Sequence, residues 1–320
     1  MGFWKFRFPW TRLRRLGIMG MNERNADFIL PYNPRRNFPW VDDKSKTKAL
    51  ALSAGIAVPK LYGIVEIEHQ IKKLREIIKP HEDFVIKPAH GSGGEGILII
   101  IGRQNGRHRK ANGTLASDDE VGHHISNILS GMYSLGGLPD SALIEYRVKF
   151  EPLFEPISYQ GVPDIRTIVF RGVPVLAMMR LPTRLSDGKA NLHQGAIGVG
   201  IDLASGRTFC GVWRDTPVDQ HPDTGGTLAG LEIPYWSEIL ALTARCHDLV
   251  RLGFIGVDIV LDKDFGPLVL EINARPGLSI QLANKTGILP RLRQIESMSE
   301  IPISIEERVR LAQQLVVSNL

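Results

Sequence analysis

Seven residues, His90, Gly91, Ser92, Gly93, Gly94, Glu95 and Gly96, come one residue after the run Phe84-Val85-Ile86-Lys87-Pro88. The glycines allow backbone amides to converge on an anion, and the Lys87 ammonium adds a point charge suited to phosphate. The spacing matches neither the phosphate loop ending in Gly-Lys-Ser/Thr nor the glycine fingerprint that opens a Rossmann helix. A flexible hairpin with a solvated lysine is the alternative.

A second group lies in Val257-Asp258-Ile259-Val260 and Val269-Leu270-Glu271-Ile272-Asn273. Strand side chains alternate between faces, so Glu271 and Asn273 share one face, Asp258 joins them from the neighbouring strand, and Leu270 and Ile272 point into the core. Two carboxylates and an amide oxygen form a hard donor set of the kind that holds Mg2+ beside phosphates. The alternative, a solvated polar face, fits poorly with strands that are otherwise apolar on both faces. A third group, Asp164, Arg166, Arg180, Arg184, Lys189, Asn191 and His193, gathers cations fit to neutralise a triphosphate or to bind a carboxylate. Ordinary surface charge is the competing explanation for any one of these residues.

These residues need elements to hold them. A helix is predicted from Lys44 to about Gly55 and a second pattern over 68–79, where Ile71, Leu74 and Ile78 share a face. Strands are expected at Phe84–Pro88, 96–101, 142–148, Asp164–Phe170 and 173–180, which makes His90 to Gly96 the connection of a hairpin. A helix covers Asp118–Leu129, 187–198 reads as loop, and a helix over 234–252 precedes strands at 256–261 and 267–272. A capped amphipathic helix over 304–317 closes the pattern.

The chain has 320 residues with a formal charge of +5. Residues 1–36 carry eight Lys/Arg against two Asp/Glu, which leaves 31 basic and 32 acidic side chains in the rest. The excess is therefore N-terminal and the body is neutral, which argues against a nucleic-acid face spread over the domain. Two cysteines, Cys210 and Cys246, are too few for a disulfide framework and fit a reducing, cytosolic setting. No apolar run approaches the roughly 20 residues of a membrane span, and the scattered charges of the opening residues and Phe6 argue against a secretory signal and a myristoylation signal. The first 43 residues, rich in Arg, Pro and Trp, read as an extension wrapped on the body. Trp4, Phe6, Phe8 and Trp10 alternate there with Lys5 and Arg7, which suits an acidic protein partner or a peripheral membrane surface.

In order along the chain come a lysine before a helix, Phe-Val-Ile-Lys-Pro, the glycine-rich hairpin, Ile-Glu-Tyr, Asp-Ile-Arg, Asn-Leu-His, Gly-Val-Asp and Leu-Glu-Ile-Asn-Ala-Arg-Pro-Gly. This order resembles the ATP-grasp superfamily, most closely its α-L-glutamate ligases related to the ribosomal-protein glutamate ligase RimK. The opening, with Asn-Ala-Asp-Phe-Ile-Leu and Tyr-Asn-Pro-Arg-Arg, is also similar to sugar-transfer-associated ATP-grasp proteins. The resemblance runs over about 43–282 and implies an α+β ATP-grasp fold, with two α/β subdomains at 44–144 and 145–320 gripping a nucleotide. The short extension 1–43 would stand in place of the usual preceding domain, and residues 147–163 would be an insertion.

By motif, the resemblance implies that Lys44 and Lys87 contact ATP, that His90, Gly91, Ser92, Gly93, Gly94 and Gly96 belong to a mobile loop over the phosphates, and that Glu145 and Tyr146 sit at the adenine hinge. Asp164, Lys189 and Asn191 would lie near the nucleotide. Asp258, Glu271 and Asn273 would hold Mg2+, two ions, with Mn2+ as a substitute. Arg166, Arg180 and Arg275 would hold a carboxylate or an oxyanion. The implied activity is an ATP-dependent carboxylate–amine ligase working through an acyl phosphate, with glutamate or a peptide as substrate, and a homo-oligomer is compatible with it. A ligase of sugar-linked or envelope assembly and a catalytically silent nucleotide-binding scaffold are the competing readings.

Overall fold

A computed structural model describes residues 9–91 and 93–315. The sequence reading of the aromatic and basic side chains at positions 4–8, and of Ser92, lies outside the described residues. Among the described residues, thirteen strands form two antiparallel sheets. The six-stranded sheet has the order β1 (Leu61–Val65), β6 (Ala142–Glu145), β2 (Phe84–Pro88), β3 (Leu98–Gln104), β4 (Arg107–Lys110), β5 (Leu115–Ala116). The seven-stranded sheet runs β11 (Thr216–Val218), β10 (Thr208–Trp213), β9 (Ile197–Ile201), β8 (Val173–Leu181), β7 (Asp164–Phe170), β12 (Phe254–Asp262), β13 (Gly266–Asn273).

The helices start where the capping chemistry places them. The Asp43 carboxylate accepts from the Ser45 amide at 2.9 Å and so caps the Lys44–Ser53 helix. Ser117 and Glu120 close a capping box on the Asp118–Leu129 helix, and Ser304 caps Ile305–Gln314. The pattern expected over 68–79 divides into a 3-10 turn, Glu68–Lys73, and a short α-helix, Leu74–Ile78. The strand expected to reach 148 stops at Glu145, and the stretch read as loop up to 198 contains the start of β9.

Alternation divides the larger sheet cleanly. Ile165 and Val169 on β7 and Ile255, Val257 and Ile259 on β12 face a core with Ile239 and Leu240 of the Trp236–Val250 helix. On the opposite face, Ile168, Phe170 and Phe254 pack with Met19, Phe28, Leu292 and Ile295. That same face carries Arg166 and Asp258 further along the strands, so one face passes from core to polar cleft within a few residues.

The pairing of β12 with β13 slips between Asp258 and Ile259: Ile259 faces Val269, while Asp258 faces Glu271. Leu270 is thereby bulged out of the ladder, and it packs with Val148, Val260 and Leu268 rather than with Ile272. This corrects the simple alternation expected for Leu270, because a bulge places two successive side chains on one face.

Residues 17–43 lie against the larger sheet. Phe28 meets the Phe170 ring edge-on at 5.5 Å. The Asn33 amide donates to Phe254 O and Ala274 O and accepts from the Phe254 amide at 2.8 Å. The Gln281 amide brackets Met19, accepting from its N–H at 2.8 Å and donating to its carbonyl at 3.0 Å.

Candidate nucleotide and ligase site

Lys87 leaves β2 buried beside the end of β6, and its Nζ lies 2.5 Å from Glu145 Oε1. The second oxygen of that carboxylate takes the Nζ of Lys48, also at 2.5 Å, and Lys48 donates further to Pro59 O at 2.6 Å. Lys44, one helical turn before Lys48, donates to Gly91 O at 2.5 Å, at the start of the glycine loop. Burial lowers the pKa of Lys44, partly opposed by Glu271 on the other sheet and reinforced by Lys87. Two lysines thus share one buried carboxylate, with Lys44 one helical turn away. Glu145 acts through its side chain as their counter-ion, whereas the neighbouring Tyr146 reaches its place by donating its amide to Lys60 O at 2.8 Å.

The loop is held at both ends. His90 donates its amide to Asp140 at 3.0 Å, and its Nδ1 lies 2.7 Å from the same carboxylate. Gly96 has φ +72° and lies so close to the Tyr133 ring that a Cβ would stand 2.5 Å from it, so this position excludes other residues. At the tip, Gly93 faces the Asn191 and Gln194 amides, Gly94 lies against the Lys189 stem, and Glu95 contacts Lys189 Nζ at 3.2 Å and Gln194 Nε2 at 3.3 Å. The loop of the first sheet therefore touches the segment between β8 and β9 of the second.

Across the cleft, charges line up on adjacent strands. Arg166 grips Asp258 with Nε and Nη2 at 2.7 and 2.5 Å, and Arg180 grips Asp164 with Nε and Nη2, both at 2.5 Å. Arg180 Nη2 also reaches Asp258 at 2.8 Å. Burial and the neighbouring Asp258 push the Asp164 carboxyl up to about 6 against the attraction of Arg180. Burial works against the Asp258 charge too, but Arg166 and Arg180 hold its pKa below the ordinary value. No hydrogen bond of Arg166 or Arg180 among the described residues uses Nη1. Arg275 stands elsewhere, over the Phe38 ring at 4.8 Å and 3.6 Å from Asp42.

The model of the family described as sugar-transfer associated ATP-grasp matches residues 23–297. The chain belongs to that family. The match takes in residues 23–42, where Asn-Ala-Asp-Phe-Ile-Leu and Tyr-Asn-Pro-Arg-Arg lie.

Over 124 residues, 39% of this chain and 30% of the relative, the ATP-grasp chain is 31% identical to a probable α-L-glutamate ligase of Maridesulfovibrio salexigens. It thus spans less than a third of that relative's length. Among solved structures, a Rhizobium etli pyruvate carboxylase variant with acetyl coenzyme A is similar at a TM-score of 0.53 and 14% identity, covering 90% of this chain and 21% of that one. A D-alanine–D-alanine ligase of Bacillus anthracis complexed with ATP is similar at 0.45 and 14%, covering 88% and 68%. At 14% identity the likeness to the carboxylase is one of fold.

ATP-grasp chemistry implies Mg2+, and the donor set fits it unevenly. Glu271 accepts no hydrogen bond and has no cation within 4 Å among the described residues, and it faces Asp258 across the ladder. The Asn273 side chain is partly exposed and makes no hydrogen bond among the described residues, which leaves its Oδ1 available to a cation. These two fit a hard cation. Asp258 already accepts three hydrogen bonds from two guanidiniums, so an ion there must share its carboxylate with Arg166 and Arg180.

Sequence reasoning missed Lys48 and misplaced Leu270. A lysine within Lys-Ser-Lys-Thr-Lys reads as a solvated helix face, and only its spacing of four from Lys44 placed it on the same side. Beside the loop contact, an open cleft of about 640 Å3 is lined by Leu185, Leu192, His193, Arg214, Ser279 and Leu282. Of these, His193 alone was a candidate.

Proposed function

We propose that this ATP-grasp protein is an ATP-dependent ligase that joins a carboxylate to an amine through an acyl phosphate. The observation that carries the reading is the closure of the Gly91–Gly96 loop onto Lys189, Asn191 and Gln194, with Lys44 and Lys87 behind the loop and Glu271 acting electrostatically on Lys44 from the opposite sheet. Such an arrangement surrounds a polyphosphate with cations on one side and metal-ligating oxygens on the other.

In this reading Lys44, Lys87 and the loop amides bind and align the phosphates of ATP, and Tyr146 lies at the adenine end. A substrate carboxylate oxygen bonds to the terminal phosphorus, the bridging P–O bond breaks and ADP leaves. An amine then attacks the acyl carbon, inorganic phosphate departs and the amine gives up a proton. Asp258 and Asp164 aim the Arg166 and Arg180 guanidiniums, whose Nη1 groups are free to hold the carboxylate or the tetrahedral oxyanion. Arg275, on the rim beside Asp42, would meet a substrate entering from that side. Mg2+ held by Glu271 and Asn273, with Asp258 shared, would offset phosphate charge during transfer, and two ions are the family's expectation. The closed loop excludes water that would hydrolyse the acyl phosphate.

The similarity to a probable glutamate ligase favours glutamate or a glutamate-ended peptide as substrate, and the cleft beside the loop offers it room. The family description favours a second version, in which the same ligation serves sugar-linked or envelope assembly. The division at 44–144 and 145–320, a cytoplasmic setting, and a membrane or acidic partner for the basic arm belong to this proposal. Incubation with ATP, Mg2+ and amino acids, singly and pooled, should yield substrate-dependent ADP and an amide product by mass spectrometry. Nucleotide binding with no turnover on any substrate would favour a scaffold. Glu271→Gln should lower turnover about 100-fold, and turnover equal to wild type would sink the metal assignment.

A further inference from the structure

Lys48 is used by none of the roles assigned above, yet its side chain is 5% exposed. Its ammonium is fixed by two acceptors: Pro59 O on the segment leading into β1, and Glu145 Oε2 at the end of β6. Glu145 Oε1 is taken by Lys87 of β2. These are the charged groups around Lys48, with Lys44 one turn away on its own helix, and β13 adds only the apolar Val269 and Leu270.

A buried Glu145–Lys87 pair standing alone would be neutral and would present little charge to a phosphate. A second ammonium on the same carboxylate changes the balance, because one negative charge is then divided between two lysines. Excess buried positive charge is costly without an anion to meet it, and such an excess beside a glycine loop suits a site that receives one. We propose that Lys48 is the positioning residue for Lys87: by occupying the second oxygen of Glu145, it locks the carboxylate in place and leaves Lys87 a net cation toward the nucleotide phosphates. The inference rests on the nucleotide reading of Lys87.

Protonation of Lys48 supplies a readout that a merely structural lysine would not move. Burial lowers the Lys48 pKa to about 8 against the attraction of Glu145. As pH rises through about 8 the ammonium is lost, and the remaining Glu145–Lys87 pair becomes neutral.

The test is Mg–ADP affinity of the full chain by calorimetry from pH 6.5 to 9.5, for wild type, Lys48→Met and Lys48→Arg. Wild type should weaken as pH rises through about 8. Lys48→Met should bind about tenfold more weakly at pH 7 and show no such fall, while Lys48→Arg should keep the affinity and move the fall above pH 9. A fall near pH 8 that persists in Lys48→Arg overturns the proposal even if Lys48→Met does not fold, as does Lys48→Met binding like wild type. A wild type that binds no Mg–ADP at any pH refutes the nucleotide reading itself, a different outcome from either variant result.

Discussion

Arg180 is shared between two carboxylates, and its removal tests how the charged row on β7, β8 and β12 is held. In Arg180→Met, Asp164 and Asp258 keep only Arg166, and breaking a buried pair in this way costs about 3 kcal/mol or more. The loss should be smaller in acid. Asp164 already titrates near 6, above its unfolded value, so its contribution to stability is fully present below about pH 4 and is lost as pH rises through 6. Melting temperatures of the variant and wild type should therefore lie closer together at pH 5 than at pH 8, and a gap independent of pH would contradict this account. At this scale the sequence was legible within one strand: Glu271 and Asn273, two residues apart, share a face, whereas Asp258 comes opposite Glu271 only through the slip in register at Leu270. It was not legible for Lys48, whose partner Glu145 is 97 residues away, nor for Leu270, whose facing depends on a bulge that residue types do not announce.

One helix carries Lys44 and Lys48 into the site, and Asp43 begins it. Burial opposes the Asp43 charge, but hydrogen bonds from the Ser45 hydroxyl and from the Lys46 and Ser45 amides hold its pKa below the usual carboxylate range. Asp43 thus stabilises the fold above that range, and the contribution fades as pH falls through its lowered value. Asp43→Ala should cost about 1 kcal/mol, and Asp43→Asn, which can still cap, should recover most of it; denaturant titration at pH 7 measures both. Elements with strong local signals, such as the Asp118–Leu129 helix with its Ser117 cap, are readable from sequence to the residue. β9 to β11 are harder, because two of the three interior residues of Ile-Gly-Val-Gly-Ile are glycine and each of these strands is specified by pairing with its neighbour, β9 with β8, β10 with β9 and β11 with β10, rather than by its own propensity.

For the whole molecule, the basic arm is the feature that composition located and the family match only partly covers. In the described part of that arm, Leu13, Leu16 and Met21 are exposed, alongside the exposed Arg14 and Arg15. Deleting residues 1–16 should abolish co-sedimentation with anionic phosphatidylglycerol vesicles while leaving ADP formation in solution intact. Lost activity in solution would mean that the arm completes the cleft instead, and an arm that only solvates would change neither. Among the described residues no helix is long and apolar enough to cross a membrane.

Gln281 gives the arm a mechanical meaning. It clamps Met19 from both sides on the short Ile280–Ala283 helix, while Leu282 on the same turn and Ser279 just before it line the cleft. The attachment point and the cleft wall are therefore one rigid piece. A load taken up at Met19 would therefore be felt directly at the wall of the cleft.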